Sequence, residues 1–472
     1  MNFRKEMVMS RAGKGPIKLA QAVVIAWALL PGEGTVHAQN RWEAMYNVRI
    51  ENVTVTPRDP RTAVVRFDIA WDSSWRDKTN HDAAWVFFKV RADGKADWQH
   101  IRLAADKVLN PTGCGHEKGP TALEFIVPDG DDGFTGMFVR RAAKGKGALS
   151  ARGITAVWDF TANKGITKDT KVSMRAFGIE MVYVAEGPFY LGSGGAEVNG
   201  FYMYTDGSQH TQPYRVTSAG AIPTGRGNGR LWARKGAQPE DGGEIPAAFP
   251  NGYTAFYCMK RHITWNQYAG FLNTLTAAQA AARCPEERRR VIRSGEPPNC
   301  TYSAARRGAA KGLSWADCAA WAAWAALRPM TELEWEKAIR GPREPVPDEV
   351  GPSYWNIPFG HWFWVPLHDR DGERPVTVGN VKGRRFRGTH GRGTATLPAD
   401  WPQDDAVGAG IRSCGRTGAT TRLSDRLYAA AVEPERKPPF PASPWNVYDS
   451  RVAELHPLPW RGVRTAPKEV GP

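Results

Sequence analysis

Among its 472 residues the chain has no apolar run of twenty, which leaves no bilayer-spanning helix to argue for. It carries no glycine-rich phosphate loop, no dinucleotide fingerprint and no Ser/His/Asp arrangement, so nucleotide-dependent and serine-nucleophile chemistries have no sequence support. No nucleic-acid-binding motif accompanies the basic composition, and nucleic acid is set aside as a partner. Cysteine is scarce: six residues, at 114, 258, 284, 300, 318 and 414. The Cys…Trp…Cys pattern of true immunoglobulin domains is absent.

What is abundant is glycine, 49 residues, and proline, 35, against only 42% hydrophobic residues, which points to a loop-rich body and not to a helical bundle. The length implies two domains. Arg4, Lys5, Arg11, Lys14 and Lys18 precede an apolar run from Leu19 to Leu30, and Val36, His37 and Ala38 supply small residues at the cleavage-defining positions, as in a secretory signal peptide over residues 1–38. The twelve-residue run is too short to span a bilayer, and the expected localisation is export to the periplasm, cell surface or medium. Removing that segment takes away five Lys/Arg and two Asp/Glu, so the formal charge falls from +15 to +12. In an oxidising compartment Cys284 and Cys300, which flank one polar loop, are the best disulfide candidates, worth roughly 3 kcal/mol.

Residues 39–178 alternate with period two. Val65, Phe67, Ile69 and Trp71 do so, and the theme returns in Val86, Phe88 and Val90, in Leu123, Phe125 and Val127, and in Ile154, Ala156, Trp158 and Phe160. Each run reads as a strand with one buried face. With the segments at 48–55, 98–103, 137–139 and 172–176, seven or eight strands make an immunoglobulin-like β-sandwich the economical architecture. Between Arg283 and Lys311 a basic tract follows, with Arg288, Arg289, Arg290, Arg293, Arg306 and Arg307, suited to an anionic surface.

The most strongly patterned stretch runs from Gly312 to Gly341. Ser314 and Asp317 have the form of a capping box, and Cys318, Trp321, Ala322 and Ala325 recur on one helical face. Arg328 precedes Pro329, so the first helix should stop near Leu327. Thr331 and Glu334 then open a second helix, which Gly341 closes. The wording of this stretch, LRPMTELEWEKAIRG, closely resembles the signature of the formylglycine-generating enzyme, or sulfatase-modifying-factor, superfamily. MVYVAEGPFYLGS at 181–193, FYCMKRHITWNQYAGFLN at 256–273 and WRGVRTAP at 460–467 resemble it too, in the family's order. The resemblance implies an α+β, loop-rich fold related to C-type lectins over residues 179–472.

The same resemblance implies copper held by two cysteines with four residues between them, after an Arg-Gly-Gly-Ser-aromatic segment, and in many relatives bound Ca²⁺. If Arg412 takes the place of that arginine, the two cysteine positions fall on Gly418 and Leu423, neither of which can ligate copper. Cys414 is the only thiol nearby. The Gly-Asn-Val-Trp-Glu segment that helps bind calcium in many relatives is missing, and so is the His-x-x-x-His-x-Glu run of an iron-using branch. The leading expectation is a catalytically silent scaffold that presents its C-terminal loops to a cell-envelope, glycan or protein ligand through Arg412, Arg416, Arg422, Asp425, Arg426, Trp445 and Trp460. The alternative is a formylglycine-generating-type oxidoreductase using Cys414 and a metal.

Overall fold

The computed structural model describes residues 48–104, 121–128, 133–197, 200–205, 212–233, 244–284, 290–296, 299–306, 308–310, 313–349, 386–403, 422–424 and 460–467, with the backbone of three strands at 34–36, 363–366 and 409–412. In chain order the first strands are β1 (Gly34–Val36), β2 (Arg49–Pro57), β3 (Thr62–Arg76), β4 (Asp82–Ala92), β5 (Gln99–His100), β6 (Leu123–Ile126), β7 (Met137–Arg141), β8 (Gly145–Asp159) and β9 (Val172–Val184). Six short strands follow, β10 (Phe189–Leu191), β11 (Phe201–Met203), β12 (Tyr214–Val216), β13 (Ile222–Pro223), β14 (Leu231–Ala233) and β15 (Glu244–Ile245), pairing only in twos. The remainder comprises β16 (Phe256–Met259), α1 (Trp265–Leu272), α2 (Ala277–Arg283), β17 (Val291–Ser294), β18 (Thr301–Ala304), α3 (Trp315–Trp324), β19 (Arg328–Pro329), α4 (Glu332–Arg340), β20 (Phe363–Pro366), β21 (Ala409–Arg412) and β22 (Gly462–Thr465). The described fold is thus mostly β, loop-rich and α+β, and none of its helices is long and apolar enough to cross a membrane.

Two sheets organise the molecule. One has the order β1-β2-β3-β8, and the other runs β19-β22-β16-β9-β4-β7-β6, with β5 also on β4. Between them lies a core of Val65, Phe67, Ile69 and Trp71 from β3, Ile154, Ala156 and Trp158 from β8, and Val86, Phe88 and Val90 from β4. The period-two pattern read from the sequence placed these residues correctly. It did not anticipate the other face of β4, where Ala83, Trp85 and Phe87 are just as buried in a second core shared with the helices. The sequence of β4, DAAWVFFKVRA, is nearly continuous apolar, as a strand covered on both faces must be.

The boundary expected at 178/179 falls inside β9. This 13-residue strand pairs along β4 with its earlier residues and with β16 through Met181–Val184, so strands from both halves of the chain share one sheet. At 98–103 the expected strand shrinks to β5, and Phe160 leaves β8 for a short 3-10 turn capped by Asp159.

The helical hairpin forms as its caps dictate. Ser314 Oγ accepts from the Asp317 amide and Thr331 Oγ1 from the Glu334 amide, each box closed by the acidic side chain reaching back. Helix α3 stops at Trp324, three residues before the expected position, because Ala326 adopts φ 56°. Leu327 N then bonds to Ala322 O and Ala326 N to Ala323 O, a Schellman closure made without glycine. Gly341, at φ 68°, closes α4, a conformation that favours glycine.

The buried C-terminal end of α3 explains an odd residue in the central strand. Its last carbonyls need donors, and the sheet supplies them: Lys89 Nζ reaches Trp324 O at 2.7 Å, Trp85 Nε1 reaches Ala325 O at 2.9 Å, and an Arg464 guanidinium nitrogen reaches Ala326 O at 2.6 Å. Two of these three side chains are cations at a helix C-terminus, where the dipole favours positive charge. Lys89 also donates to Gly393 O at 2.6 Å and to His100 Nδ1 at 2.9 Å, while His100 Nε2 contacts Thr135 O at 2.5 Å. Since Thr135 O can only accept, Nε2 carries the imidazole proton and Nδ1 is free to accept. Burial lowers the Lys89 pKa, and three converging acceptors hold the ammonium against that pull.

Candidate functional site

Of the stretch in which the resemblance would put the two copper thiolates, at 418 and 423, the described residues are 422–424. Three residues are lashed there to α4 and to the loop after β10. The Arg422 guanidinium sits 3.0 Å from Asp348 Oδ1 and donates to Ala196 O at 2.6 Å. Leu423 is buried, and its amide donates to Glu349 O at 2.8 Å. Ser424 Oγ accepts from Arg340 at 2.6 Å and lies 3.3 Å from Glu336 Oε2, to which it donates.

Behind this clamp is a buried charge network. Arg340 also donates to Tyr190 O at 2.7 Å and pairs with Glu349 and, at 3.4 Å, with Glu336. Glu336 Oε2 accepts from the Gly192 amide at 2.8 Å. Asp348 Oδ1 accepts from the Ala196 amide at 2.6 Å, and a Cβ on Gly195 would lie 2.2 Å from Asp348 N, so only glycine lets the loop approach so closely. Sequence reasoning missed Glu336, Asp348 and Ser424. Glu336 and Arg340, four apart on a helix, have the spacing of a solvent-exposed pair, and nothing local marks them as buried.

Three expected site residues are corrected. Trp460 is fully buried, edge-on to Trp315 at 5.2 Å, with its carbonyl accepting from Ile263 N. It is core, because the strand it introduces, β22, lies inside the central sheet. Cys284 and Cys300 remain thiols and form no disulfide with each other. Cys284 caps α2 and packs against the core, while the Cys300 thiol turns toward Gly295 O at 3.6 Å.

The structure spreads the basic tract out. The Arg290 guanidinium lies 5.9 Å from the Trp265 ring centre, Arg293 is exposed 3.9 Å from Glu296, and Arg306 is exposed. Arg283 pairs with Asp317 at 3.5 Å. Arg412 lies in β21, opposite Phe363. Arg288, Arg289, Arg307, Cys414, Arg416, Asp425, Arg426 and Trp445 lie outside the described residues.

Among the described residues neither metal implied by the resemblance finds a fitting donor set. Copper needs a soft thiolate, and at 423 it would meet buried hydrocarbon. Burial pushes the Cys258 and Cys318 thiols far above their ordinary range, so neither supplies a thiolate. Among the described residues no group of three or more His, Cys, Asp or Glu side chains is placed to hold an ion such as Ca²⁺. His390 is half-buried, its pKa lowered first by desolvation, and its Nε2 accepts from the Thr465 amide at 3.0 Å.

Comparison with known families bears on the middle of the chain. Residues 169–364 match the model of the sulfatase-modifying factor enzyme 1-like domain. The chain carries a domain of that family. Its match begins three residues before β9 and ends inside β20, so it takes in the helical hairpin and stops short of the 422–424 clamp. No curated protein and no solved structure matches the chain. The sulfatase-modifying-factor assignment therefore rests on the hairpin and the strands around it, and the C-terminal loops fall beyond the matched residues.

Proposed function

We propose that this chain is an exported, catalytically silent member of the sulfatase-modifying-factor fold, with an immunoglobulin-like N-terminal half, that presents its C-terminal loops to a cell-surface or glycan ligand. The observation that carries the reading is Leu423. In the register that aligns Arg412 with the family's arginine, a copper thiolate is required at that position, and the residue there is a buried aliphatic side chain between two anchored neighbours. No change of rotamer gives it a donor atom, so no step through copper is derived. The clamp supports the binding side of the proposal, because recognition loops work best when mounted on a rigid base.

The test replaces residues 425–459 with a scrambled sequence, keeping the anchored 422–424 and the core strand at 460–467, and screens the variant and the parent against glycans and envelope components. Binding lost in the variant supports the reading, and unchanged binding sinks it. In parallel, the intact protein is titrated with Cu(I) and offered a peptide bearing a sulfatase-type cysteine motif. No conversion is expected. Stoichiometric copper uptake with peptide conversion, both lost in Cys414→Ser, would replace the scaffold reading with the oxidoreductase.

A further inference from the structure

The face of the central sheet that lines the helical core changes character at one end. Along β4 it presents Trp85, Phe87, Lys89 and Arg91, and along β9 Ile179, Phe177 and Arg175. Lys89 stands opposite Arg175 and Arg91 opposite Ser173, so the two arginines are diagonal neighbours on one face. Both guanidinium groups lie against the half-buried Trp98 ring, with their central carbons 4.9 and 4.8 Å from its centroid.

These cations differ from the others of the interior in what answers them. Lys89 has three acceptors. Arg140, Arg328 and Arg340 each have a carboxylate. Among the described residues no carboxylate pairs with Arg91 or Arg175, and Asp93 and Asp97, nearest in sequence, pair with neither. Arg175 donates once, to Asn273 O at the end of α1, at 3.2 Å, and burial together with Arg91 lowers its pKa to about 10. A guanidinium held against a ring by its central carbon carries five N–H donors around its rim, and two adjacent ones match a two-oxygen anion. Two like charges held near one indole repel each other, and an anion between them turns that repulsion into attraction.

We propose that Arg91, Arg175 and the Trp98 ring form an oxyanion-binding site that takes a sulfate, phosphate or carboxylate group. It uses none of the residues of the proposed C-terminal contact surface, so its test stands apart from that reading. The test is isothermal titration of the full chain with sodium sulfate, sodium phosphate and sodium glucuronate, each at ionic strength matched with chloride. Saturable one-to-one binding of at least one probe is expected, about tenfold weaker in Arg91→Gln and in Arg175→Lys, which keeps the charge but loses the fork. Glucuronate binding would identify an acidic sugar as the source of the group, and binding of the tetrahedral ions alone a free or esterified sulfate or phosphate. Both variants are checked for the parent's thermal unfolding midpoint. Absence of saturable binding for all three probes, or equal binding in both folded variants, would overturn the site and leave the stack as packing alone.

Discussion

The two cores on either side of the central sheet solve the same problem with different side chains. The core between the two sheets is largely Val, Ile, Ala and Phe, with two tryptophans, while the core under the helices contains seven. The sheets satisfy their own backbone through ladders, so aliphatic residues suffice between them. The loop-rich half leaves carbonyls off any ladder, and long side chains with a polar tip must reach them. Trp315 donates to Pro402 O, Trp401 to Thr389 O, Lys337 to Tyr253 O and Arg461 to Lys260 O, in addition to the three donors that close α3. Of the seven tryptophans, Trp85, Trp315 and Trp401 give their indole N–H to a backbone carbonyl, while Trp265, Trp321 and Trp460 have no acceptor for theirs among the described residues and serve as bulk.

The comparison is tested most severely in β4 itself. Trp85→Ala and Phe88→Ala empty opposite faces of one strand, and each is expected to cost about 3–5 kcal/mol, Trp85 the more because Ala325 O loses its donor. Because the sheet is shared, urea unfolding followed by circular dichroism and by tryptophan fluorescence should show one transition, shifted by either change. Two transitions, one of them unmoved, would separate the halves. Glu334→Gln comes next. It weakens the buried pair with Arg328, whose two contacts are 2.8 and 2.6 Å, and full loss of such a pair costs about 3–5 kcal/mol. A drop under about 1 kcal/mol by thermal unfolding would mean that helical-side charges contribute as little as surface ones.

A smaller effect depends on pH. Burial first, then Arg140, lowers the His81 pKa to about 3, and its Nε2 lies 2.8 Å from Arg140 and 2.9 Å from Tyr257 Oη. The unfolded chain takes up a proton below about 6.5 that the folded one refuses, so this contribution is complete above pH 6.5 and is lost as pH falls toward 3. His100 and His390 act in the same direction. His81→Gln keeps an acceptor and removes the titration, so its urea midpoint should fall less between pH 7.5 and 5 than the parent's. Equal falls would exonerate His81. The smallest change compares caps: Thr331→Ala, at a buried cap that also donates to Pro250 O, should cost about 2 kcal/mol, and Thr276→Ala, at an exposed one, about 0.5 kcal/mol. Equal losses would show that burial adds nothing to a cap.

What could be read in advance was what is local. Both capping boxes, the terminal glycine of α4 and the alternation of β3 depend on residues within a few positions of each other, and the structure has them. The second face of β4 was hidden because alternation explains half of a strand and says nothing of what covers the rest. Trp460 looked like a contact residue in a polar neighbourhood, and only its place beside Trp315 reveals a core wedge. Lys89 is the extreme case: its acceptors at Trp324 and Gly393 are 235 and 304 residues away, and no spacing rule connects them. At the candidate site the loss of a donor was legible at Leu423, but the Arg340 clamp that anchors it joins four distant segments.

The unbroken ribbon at 172–184 has a mechanical meaning. With no joint at residue 178, the strands before it and the strands after it share one sheet, and no pivot separates them. A fragment cloned to start there would begin with a raw margin and half its lining stripped, and it would clump instead of dissolving.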